Sequence, residues 1–400
     1  MNYDSARQGP LAGIRIVDLT RLIDGNVLTQ QLGDFGADIV KVEPPEGDPL
    51  RAWMVEGISY YWKAYGRNKR SAVLNLRDPV ALDALLKILD GADVFIENFR
   101  PGVLEKMGLA PELLLKRNPG LVIVRISGFG QTGPYAQLPG FGTLVEALSG
   151  LAARTGFPDR EPVLPPTALA DMVAGIHGAM AVMIALHSRD LGKSRGQVID
   201  LSLLEPLVSI LGPEAAIFRA TGKVLERVGS GSNTSAPRNV YRCRDGKYIA
   251  LSGSIQSMAF RIFDMVGRPD MKTDPRFSTN GARIQHRALV DEAVGGWFAA
   301  RDRDEALAAI HAAEVTAGPV FDSADVNDDP HFRDREVLVE MEDDELGSVP
   351  LHAITPRLSE TPGVWRRPAP TLGAHTREIL AEAGLAPAAI DAIVTRKDLA

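Results

Sequence analysis

Asp171 is a lone carboxylate in a run of small and apolar residues, PPTALADMVAGIHGAM (165–180). No Ser, Cys or Lys stands beside it, and no spacing of metal ligands surrounds it. An acid just before an apolar helix is typical of an N-cap. The helix dipole would also keep such a carboxylate ionised, and the neighbouring Ala and Gly residues leave room for a large partner. Because an ionised, accessible carboxylate can act as a covalent nucleophile without a general base, Asp171 is predicted to be a cap, a nucleophile or both.

Two strings look like nucleotide-binding motifs, but their surroundings argue against that use. GFGQTG (128–133) has the glycine spacing of a dinucleotide fingerprint, yet Pro134 and Pro139 prevent the long helix that should hold the pyrophosphate. LGKS (191–194) leaves a predicted helix instead of opening one, so Gly192 is predicted to be its C-cap. The seven histidines have no ligand-type spacing. We therefore expect neither a nucleotide cofactor nor a metal.

The composition argues against several classes of protein. The 400 residues carry a formal net charge of -7, spread along the chain, so binding to nucleic acid is not expected. Cys243 is the only cysteine, which excludes an internal disulfide. The basic run RNKRS (67–71) is predicted to be a solvated loop.

No window approaches the roughly 20 apolar residues of a membrane span, and the start lacks the apolar core of a signal peptide, so we expect a cytoplasmic protein without membrane association.

The elements that must position Asp171 follow an α/β pattern. Short runs rich in β-branched residues alternate with helical periodicity, which predicts parallel strands with right-handed crossovers and a Rossmann-like sheet. A long helix is predicted from Asp171 to about Arg189. The predicted strands lie in GIRIVDL (13–19), ADIVKVE (37–43), SAVLNL (71–76), DVFIENF (93–99), LVIVRISGFG (121–130) and QVIDLSLLEP (197–206).

The composition of the sequence changes after Ala220. VGSGSNTSAPRN (228–239) is rich in Gly, Ser, Asn and Pro, which predicts a boundary or a crossover. YRCRDGKYIALSGS (241–254) predicts a hairpin with its turn at Asp245–Gly246. We expect a large α/β domain, a smaller α+β domain and a C-terminal segment, with the ranges 1–220, 221–330 and 331–400.

A series of ordered blocks spans almost the whole chain: LAGIRIVDLTR (11–21), FGADIVKVEPPEGD (35–48), NKRSAVLNL (68–76), ADVFIENFRPGVLEKMGL (92–109), NPGLVIVRISGFGQTGPY (118–135), LADMVAG (169–175), SRGQVIDLSLLE (194–205) and PAPTLGAHTREIL (368–380). In content and order these blocks resemble the family III CoA-transferases of the CaiB/BaiF type. That family includes formyl-CoA transferase, carnitine CoA-transferase and α-methylacyl-CoA racemase.

The resemblance implies that Asp171 is the family's catalytic aspartate. This residue attacks the acyl-CoA thioester to give an acyl-aspartyl anhydride and CoA thiolate, which re-attacks to form an aspartyl-CoA thioester. The acceptor carboxylate then repeats the sequence in reverse, and water must be kept out because it would hydrolyse the anhydride. Coenzyme A is therefore expected as part of the acyl-CoA substrate, bound by the large domain. The resemblance places it along Leu22, Ile23, Asp24, Pro44, Leu74, Asn75, Leu76, Arg77, Asn98, Phe99, Arg100, Lys106, Gly140 and Phe141.

Departures from the family pattern narrow the expected substrate. The segment GFGTLVEALSGL (140–151) is similar to that of members acting on C4 to C6 dicarboxylic acids such as succinate, mesaconate, citramalate or glutarate. The racemases carry a His-Asp pair where this chain has Phe141 and Gly142, so two-base proton transfer would lack one base. LSGSIQSM (251–258) replaces the glycine run of formyl-CoA transferase, which argues against oxalate.

The expected function is transfer of CoA from succinyl-CoA or another dicarboxylyl-CoA to a carboxylic acid. An acyl-CoA racemase or isomerase of the same family is an alternative. A CoA-binding protein without catalysis, in which Asp171 is only a cap, is another.

A dicarboxylate brings a second charge that must be paired in a dry site. Arg154 is the first candidate, followed by Arg51 and Arg238, because a guanidinium binds a carboxylate through two hydrogen bonds. Family members also form an interlocked homodimer. The Gly/Ser-rich stretch 228–239 agrees with that assembly, as does a tail, 331–400, that should return to the large domain.

Overall fold

A computed structural model describes residues 2–395, and its largest sheet has six strands. The strands are β1 (Arg15–Asp18), β2 (Asp38–Glu43), β3 (Lys69–Val73), β4 (Val94–Glu97), β5 (Val122–Ser127) and β6 (Gln197–Ser202). They are all parallel and run in the order β3-β2-β1-β4-β5-β6. The inner strands are almost entirely buried because helices cover both faces of the sheet. The predicted Rossmann-like parallel sheet is confirmed.

The first nine helices are α1 (Asp24–Asp34), α2 (Tyr60–Tyr65), α3 (Pro79–Asp90), α4 (Val103–Lys106), α5 (Pro111–Arg117), α6 (Gly142–Leu148), α7 (Leu151–Arg154), α8 (Leu169–Asp190) and α9 (Leu204–Ile210). Helix α8 packs against α1 at glycines. A Cβ on Gly175 would stand 2.8 Å from the Asp24 carbonyl oxygen, and one on Gly178 would collide with Leu28 and Leu201. The small residues therefore let the first turns of α8 lie directly against the start of α1.

The chain divides into two compact units. The first comprises the residues up to Gly150, Pro165–Gly212 and the residues from Arg335 onward, and it contains the six-stranded sheet. The second comprises Leu151–Leu164 and Pro213–Asp334.

The second unit contains an antiparallel sheet in the order β7 (Arg238–Arg242), β8 (Tyr248–Ser252) and β9 (Ala317–Pro319). The predicted hairpin turn lies between β7 and β8, where Gly246 adopts a φ of 82° that favours glycine. The helices of this part of the chain are α10 (Glu214–Thr221), α11 (Gln256–Met265), α12 (Asn280–Gln285), α13 (Arg287–Ala299), α14 (Arg303–Ala312), α15 (Ser323–Asp328) and α16 (Pro330–Asp334).

The last elements are a hairpin and two helices of the first unit: β10 (Leu338–Asp343), β11 (Gly347–His352), α17 (Thr376–Glu382) and α18 (Pro387–Thr395). Leu380 of α17 and Ile393 of α18 share one buried hydrophobic cluster with Leu85 of α3 and Phe95 of β4. The C-terminal helices thus complete the core on one face of the parallel sheet.

The basic run RNKRS is buried, so the expectation of a solvated loop was wrong. Arg67 and Lys69 are fully buried, and the last three residues of the run are the first three of β3. Arg67 pairs with Asp34 of α1, with 2.6 Å between Nη2 and Oδ2, and Arg70 pairs with Asp38 of β2. The charges are tolerated because acids that are distant in the sequence neutralise them.

The expectation that no segment reaches the length of a membrane span was also wrong. By length and composition alone, the 22-residue helix α8 would suffice. A core helix of a soluble protein passes the same test, and α8 buries Ala174, Gly178 and Val182 against the fold.

Candidate functional site

Asp171 is the third residue of α8, not its cap. The helix begins at Leu169, and the preceding Ala168 makes no side-chain capping bond. Glu146 of α6 takes up one of the free N–H groups instead, since its Oε1 accepts from Ala170 N at 3.2 Å. The interpretation of Asp171 as an N-cap was therefore wrong, which leaves its carboxylate available for chemistry.

The carboxyl group of Asp171 is less acidic than an ordinary aspartate. Burial raises its pKa to about 6, its own N–H opposes the rise, and the Glu146 carboxylate adds to it. At pH 7 the carboxylate form still predominates, so Asp171 is an ionised group in a poorly solvated place. Such a group is more reactive than a fully hydrated carboxylate.

Asp171 lines a cavity of about 140 Å³ at the carboxyl edge of the parallel sheet. Its walls come from the segments that follow β1, β4, β5 and β6, and β1 and β4 are the neighbours at which the strand order reverses. Open parallel sheets bind ligands at this switch point. The lining residues are Arg21, Leu22, Asp24, Asn98, Phe99, Arg100, Pro101, Ile126, Ser127, Gly128, Ala136, Leu138, Gly140, Phe141, Asp171 and Leu203.

Glycines make room around the carboxylate. A Cβ on Gly142, the first residue of α6, would overlap Asp171 Oδ2. A Cβ on Gly128 would stand 2.7 Å from the Cα of Gly140, so these two backbone segments touch. Only glycine fits at these positions, and the segment after β5 can therefore approach Asp171 closely.

Asp24, the first residue of α1, is a second acid in the cavity. Asn98 Nδ2 donates to its Oδ1 at 2.8 Å, and the Gly25 N–H donates to the same oxygen. Burial and the Asp171 charge raise the pKa of Asp24 to about 8, against the opposing effects of Gly25, Asn98 and Lys41. The cavity therefore contains one ionised and one neutral carboxyl group at pH 7.

A network of buried charges supports the loop between β1 and α1. Lys41 Nζ pairs with Asp18 Oδ1 at 3.2 Å and with Asp48 Oδ2 at 3.0 Å. Asp48 Oδ1 in turn accepts from Leu22 N at 3.0 Å, while its Oδ2 accepts from Asn26 Nδ2 at 2.9 Å. Leu22 has a φ of 64°, which is strained for a leucine. The network holds this strained bend, and the bend directs the chain past the cavity into Asp24.

A second depression of about 380 Å³ continues from the cavity along the ends of β2 and β3, and the two share Arg21 and Phe99. Leu74 is buried in its floor, while Arg77 is exposed at its edge. Its lining residues are Arg21, Pro44, Pro45, Glu46, Leu74, Asn75, Leu76, Arg77, Phe99 and Met107. The two depressions adjoin at Arg21 and Phe99, and together, as the groove, they would suit a long ligand with an anionic end.

Most of the residues predicted to contact CoA line this groove, and two do not. Ile23 is 1% exposed within a hydrophobic cluster, and Lys106 is exposed on α4 next to the lining residue Met107. The sequence interpretation missed Arg21, Glu146 and Ser127. Glu146 could have been noticed in the sequence, because it is an acid within the otherwise mostly apolar segment GTLVEAL (142–148).

The three arginines proposed for the distal carboxylate are already engaged. Arg51 forms a two-bond pair with Glu43, at 2.7 and 2.8 Å, and stacks on Trp62. Arg154 Nε donates to Glu214 Oε1 at 2.6 Å, and Arg238 donates to a backbone carbonyl. Their role in substrate binding stays a prediction.

Over residues 2–395, no cluster of three His, Cys, Asp or Glu side chains is suited to hold a metal ion.

Comparisons with known proteins agree on one family. Residues 11–376 match the model of CoA-transferase family III. The chain is 36% identical over 377 residues to succinyl-CoA–D-citramalate CoA-transferase of Chloroflexus aurantiacus, covering 93% of this chain and 94% of the relative. It is 37% identical to the succinyl-CoA–L-malate CoA-transferase alpha subunit of Chloroflexus aurantiacus, covering 94% and 89%.

A solved structure agrees with these relatives. The crystal structure of a CaiB/BaiF family protein from Brucella suis superimposes with a TM-score of 0.82 at 34% identity, covering 94% of this chain and all of that one. The resemblance seen in the sequence is thus confirmed: the chain belongs to CoA-transferase family III and is a CoA-transferase that uses CoA thioesters and carboxylic acids.

Proposed function

We propose that the chain transfers CoA from succinyl-CoA to a second dicarboxylic acid, with Asp171 as the covalent nucleophile. The observation that carries this proposal is the position of Asp171, an ionised carboxylate in a small cavity that adjoins a second depression along the ends of β2 and β3. The names of two relatives pair succinyl-CoA with citramalate and with malate, which supports the substrate class.

The proposed reaction begins when an Asp171 oxygen attacks the thioester carbon of succinyl-CoA. The C–S bond breaks and leaves a succinyl-aspartyl anhydride and CoA thiolate. The thiolate then attacks the carboxyl carbon of Asp171 and releases succinate, which leaves an aspartyl-CoA thioester. The acceptor carboxylate reverses these two steps and departs as its CoA thioester. Each step exchanges one acyl bond for another, so no external energy source is needed.

The groove explains how the thioester would reach Asp171. CoA would lie with its pantetheine chain past Arg21 and Phe99 and its nucleotide near Leu74 and Arg77. Arg77 is exposed at the edge of this groove and suits the phosphates. Arg100 is exposed beside the cavity, and no described residue bonds to its side chain, so its guanidinium can receive an anionic part of either substrate.

The substrate class is tested by incubating the chain with succinyl-CoA and a panel of acids, followed by chromatography of the acyl-CoA products. We expect citramalate, malate, mesaconate or glutarate to be converted at least ~10-fold faster than monocarboxylic acids of similar length. Faster transfer to monocarboxylic acids would contradict the dicarboxylate proposal.

A racemase is the alternative that the same fold allows. Phe141 is exposed at the cavity and Gly142 has no side chain, so neither can act as a base. Solvent deuterium exchange at the α-carbon of a branched acyl-CoA, measured without an acceptor acid, distinguishes the two reactions. Exchange without CoA transfer would favour the racemase.

We also propose that the chain forms an interlocked homodimer. The outer face of α8 exposes Ile176, Met180 and Ile184, each more than half accessible. An apolar depression of about 340 Å³, which Met183 and Leu358 help to line, lies beside Met180. An apolar surface of this kind is typical of a subunit interface. Light scattering should give twice the chain mass of 43.1 kDa, and a concentration-independent monomer would contradict the assembly.

A further inference from the structure

Asp24 is an acidic side chain of the Asp171 cavity that the acyl-transfer steps do not use. It lies at the start of α1 and is 7% exposed. Both donors that reach it, the Asn98 amide and the Gly25 N–H, bond to Oδ1. None of the residues in the described range donates to Oδ2 or forms an ion pair with the carboxyl group. One oxygen of Asp24 is thus available to carry a proton and to face a ligand.

The charged groups near Asp24 favour its neutral form. Asp171 of α8 faces it in the cavity, and Glu146 of α6 contacts the first turn of α8. Lys41 of β2 is committed to Asp18 and Asp48.

The two nearby arginines do not neutralise Asp24 either. Arg21 donates through Nη1 to three backbone carbonyls, those of Leu19, Thr20 and Val42. Arg100 stands at the exposed edge of the cavity and forms no ion pair with Asp24. The position at the N-terminus of α1 favours the carboxylate, but burial and the Asp171 charge outweigh it and raise the pKa to about 8.

In the reaction proposed above, one negative charge moves among the reacting groups, apart from the distal carboxylate of the acyl group. The charge begins on Asp171, passes to the CoA thiolate and then to the departing succinate, and the acceptor carboxylate brings a charge back for the reverse steps. A second ionised carboxylate would repel each of these species in a place with little water to screen the repulsion.

We propose that Asp24 stays protonated throughout the cycle and donates a hydrogen bond from Oδ2 to whichever group carries the migrating negative charge. This inference rests on the proposed function. The proton remains on Asp24, so no bond to it breaks and the atoms of the transfer steps balance as written. Asn98 and the Gly25 N–H fix the carboxyl group by holding Oδ1, which leaves the O–H free for the substrate.

Two variants separate this role from others. Asp24→Asn cannot ionise, keeps an acceptor for Asn98 and Gly25, and presents an N–H donor in place of the O–H. Its kcat/KM at neutral pH should exceed that of Asp24→Ala by at least about tenfold. Asp24→Ala removes the donor and should lose about 10²-fold, the usual effect of deleting one donor to a developing charge. A loss of 10²-fold or more in Asp24→Asn would overturn the proposal, since it would mean that an ionised carboxylate is required.

The pH profile gives a readout that a purely structural role would not change. The kcat/KM of the unmodified chain should fall about tenfold per pH unit above about pH 8, where Asp24 loses its proton. Asp24→Asn should lack this alkaline decline. An identical decline in both proteins would overturn the proposal.

The protonation state can also be measured without turnover, which separates this inference from the proposed function. Infrared difference spectra of the two proteins at neutral pH should contain the C=O stretch of a protonated carboxylic acid in the unmodified chain only. The absence of that band would overturn the proposal, whatever acid the enzyme uses. If the band is present but no acid in the panel accepts CoA, then the proposed function fails while the protonation of Asp24 stands.

Discussion

Two groups of ionisable side chains lie near the start of α1, and they differ in whether their members form ion pairs. The paired cluster consists of Asp18, Lys41, Asp48 and Lys69, which are 0–2% exposed. The acid pair consists of Asp24 and Asp171, and neither forms an ion pair with any residue of the range 2–395 that the structure describes.

Among the acids of the two groups, the pKa values follow the pairing. Burial alone would raise the pKa of Asp18, but Lys41 and Lys69 outweigh it and hold the pKa below its usual value. In the acid pair no cation cancels the effect of burial, so the pKa values rise to about 6 for Asp171 and about 8 for Asp24. Paired buried charges hold a backbone in place, whereas unpaired ones are poised to react, so the first group is expected to control stability and the second to control chemistry.

Removing the charge of Asp171 should have the largest effect. Asp171→Asn keeps the shape of the side chain but not the nucleophile, so transfer from succinyl-CoA should fall by at least about 10³-fold. The melting temperature and the affinity for CoA should stay close to those of the unmodified chain. If Asp171→Asn kept more than a few per cent of the activity, the acid pair would not be the group that controls the chemistry.

Removing a cation from the paired cluster should act on stability instead. Lys41→Met leaves Asp18 and Asp48 without their shared partner, and should lower the free energy of unfolding by about 3–5 kcal/mol in urea titrations. Arg117→Ala is the matched control, because it removes an exposed pair with Asp90 and should cost less than about 1 kcal/mol. Equal losses of free energy of unfolding in the two variants would show that burial does not increase the cost of removing a partner from an ion pair.

Crowding Asp171 without touching its charge should give an intermediate effect. The added methyl of Gly142→Ala would overlap Asp171 Oδ2, so kcat should fall by about 10–100-fold while the fold is kept. Gly281→Ala is the control, since Gly281 also lies at the start of a helix but has open space around its Cβ position. No change in kcat for Gly142→Ala would mean that the position of the carboxylate is not critical.

The last expected effect is on the pH dependence of stability. The folded chain binds the Asp24 proton more tightly than the unfolded chain, because the pKa is raised to about 8. The free energy of unfolding should therefore fall as the pH rises from the ordinary pKa of an aspartate to about 8. Asp24→Asn removes this contribution, so its melting temperature should exceed that of the unmodified chain by more at about pH 9 than at about pH 5. A constant difference would contradict the raised pKa.

The parallel sheet could be predicted because each strand carries its own signal. The β-branched runs at β1 to β6 alternate with helical periodicity, and the strands form at these runs, although β3 begins at Lys69, two residues before the predicted run. The basic run at β3 was misread for the opposite reason. Its partners Asp34, Asp38 and Glu382 come from three other elements, so nothing near RNKRS in the sequence indicates that its charges are neutralised.

The site was predictable in part. Asp171 was identified by its unusual neighbours and by the resemblance to a family, whereas its place in the third position of α8 depends on where the helix begins. The high pKa of Asp24 was not predictable, because it depends on burial and on Asp171, which is remote in the sequence. The engagement of Arg154 by Glu214 is likewise a product of tertiary structure.

The covalent role of Asp171 is tested most directly by trapping the intermediate. The chain is incubated with succinyl-CoA, quenched with hydroxylamine and digested, and the peptide that contains Asp171 is analysed by mass spectrometry. Hydroxylamine that attacks the aspartyl carbonyl of the thioester or of the anhydride displaces CoA or succinate and leaves a hydroxamate on the aspartate. We expect the hydroxamate on Asp171, dependent on succinyl-CoA and absent in Asp171→Asn. An active enzyme that yields no hydroxamate on Asp171, or carries it on another residue, would contradict the account.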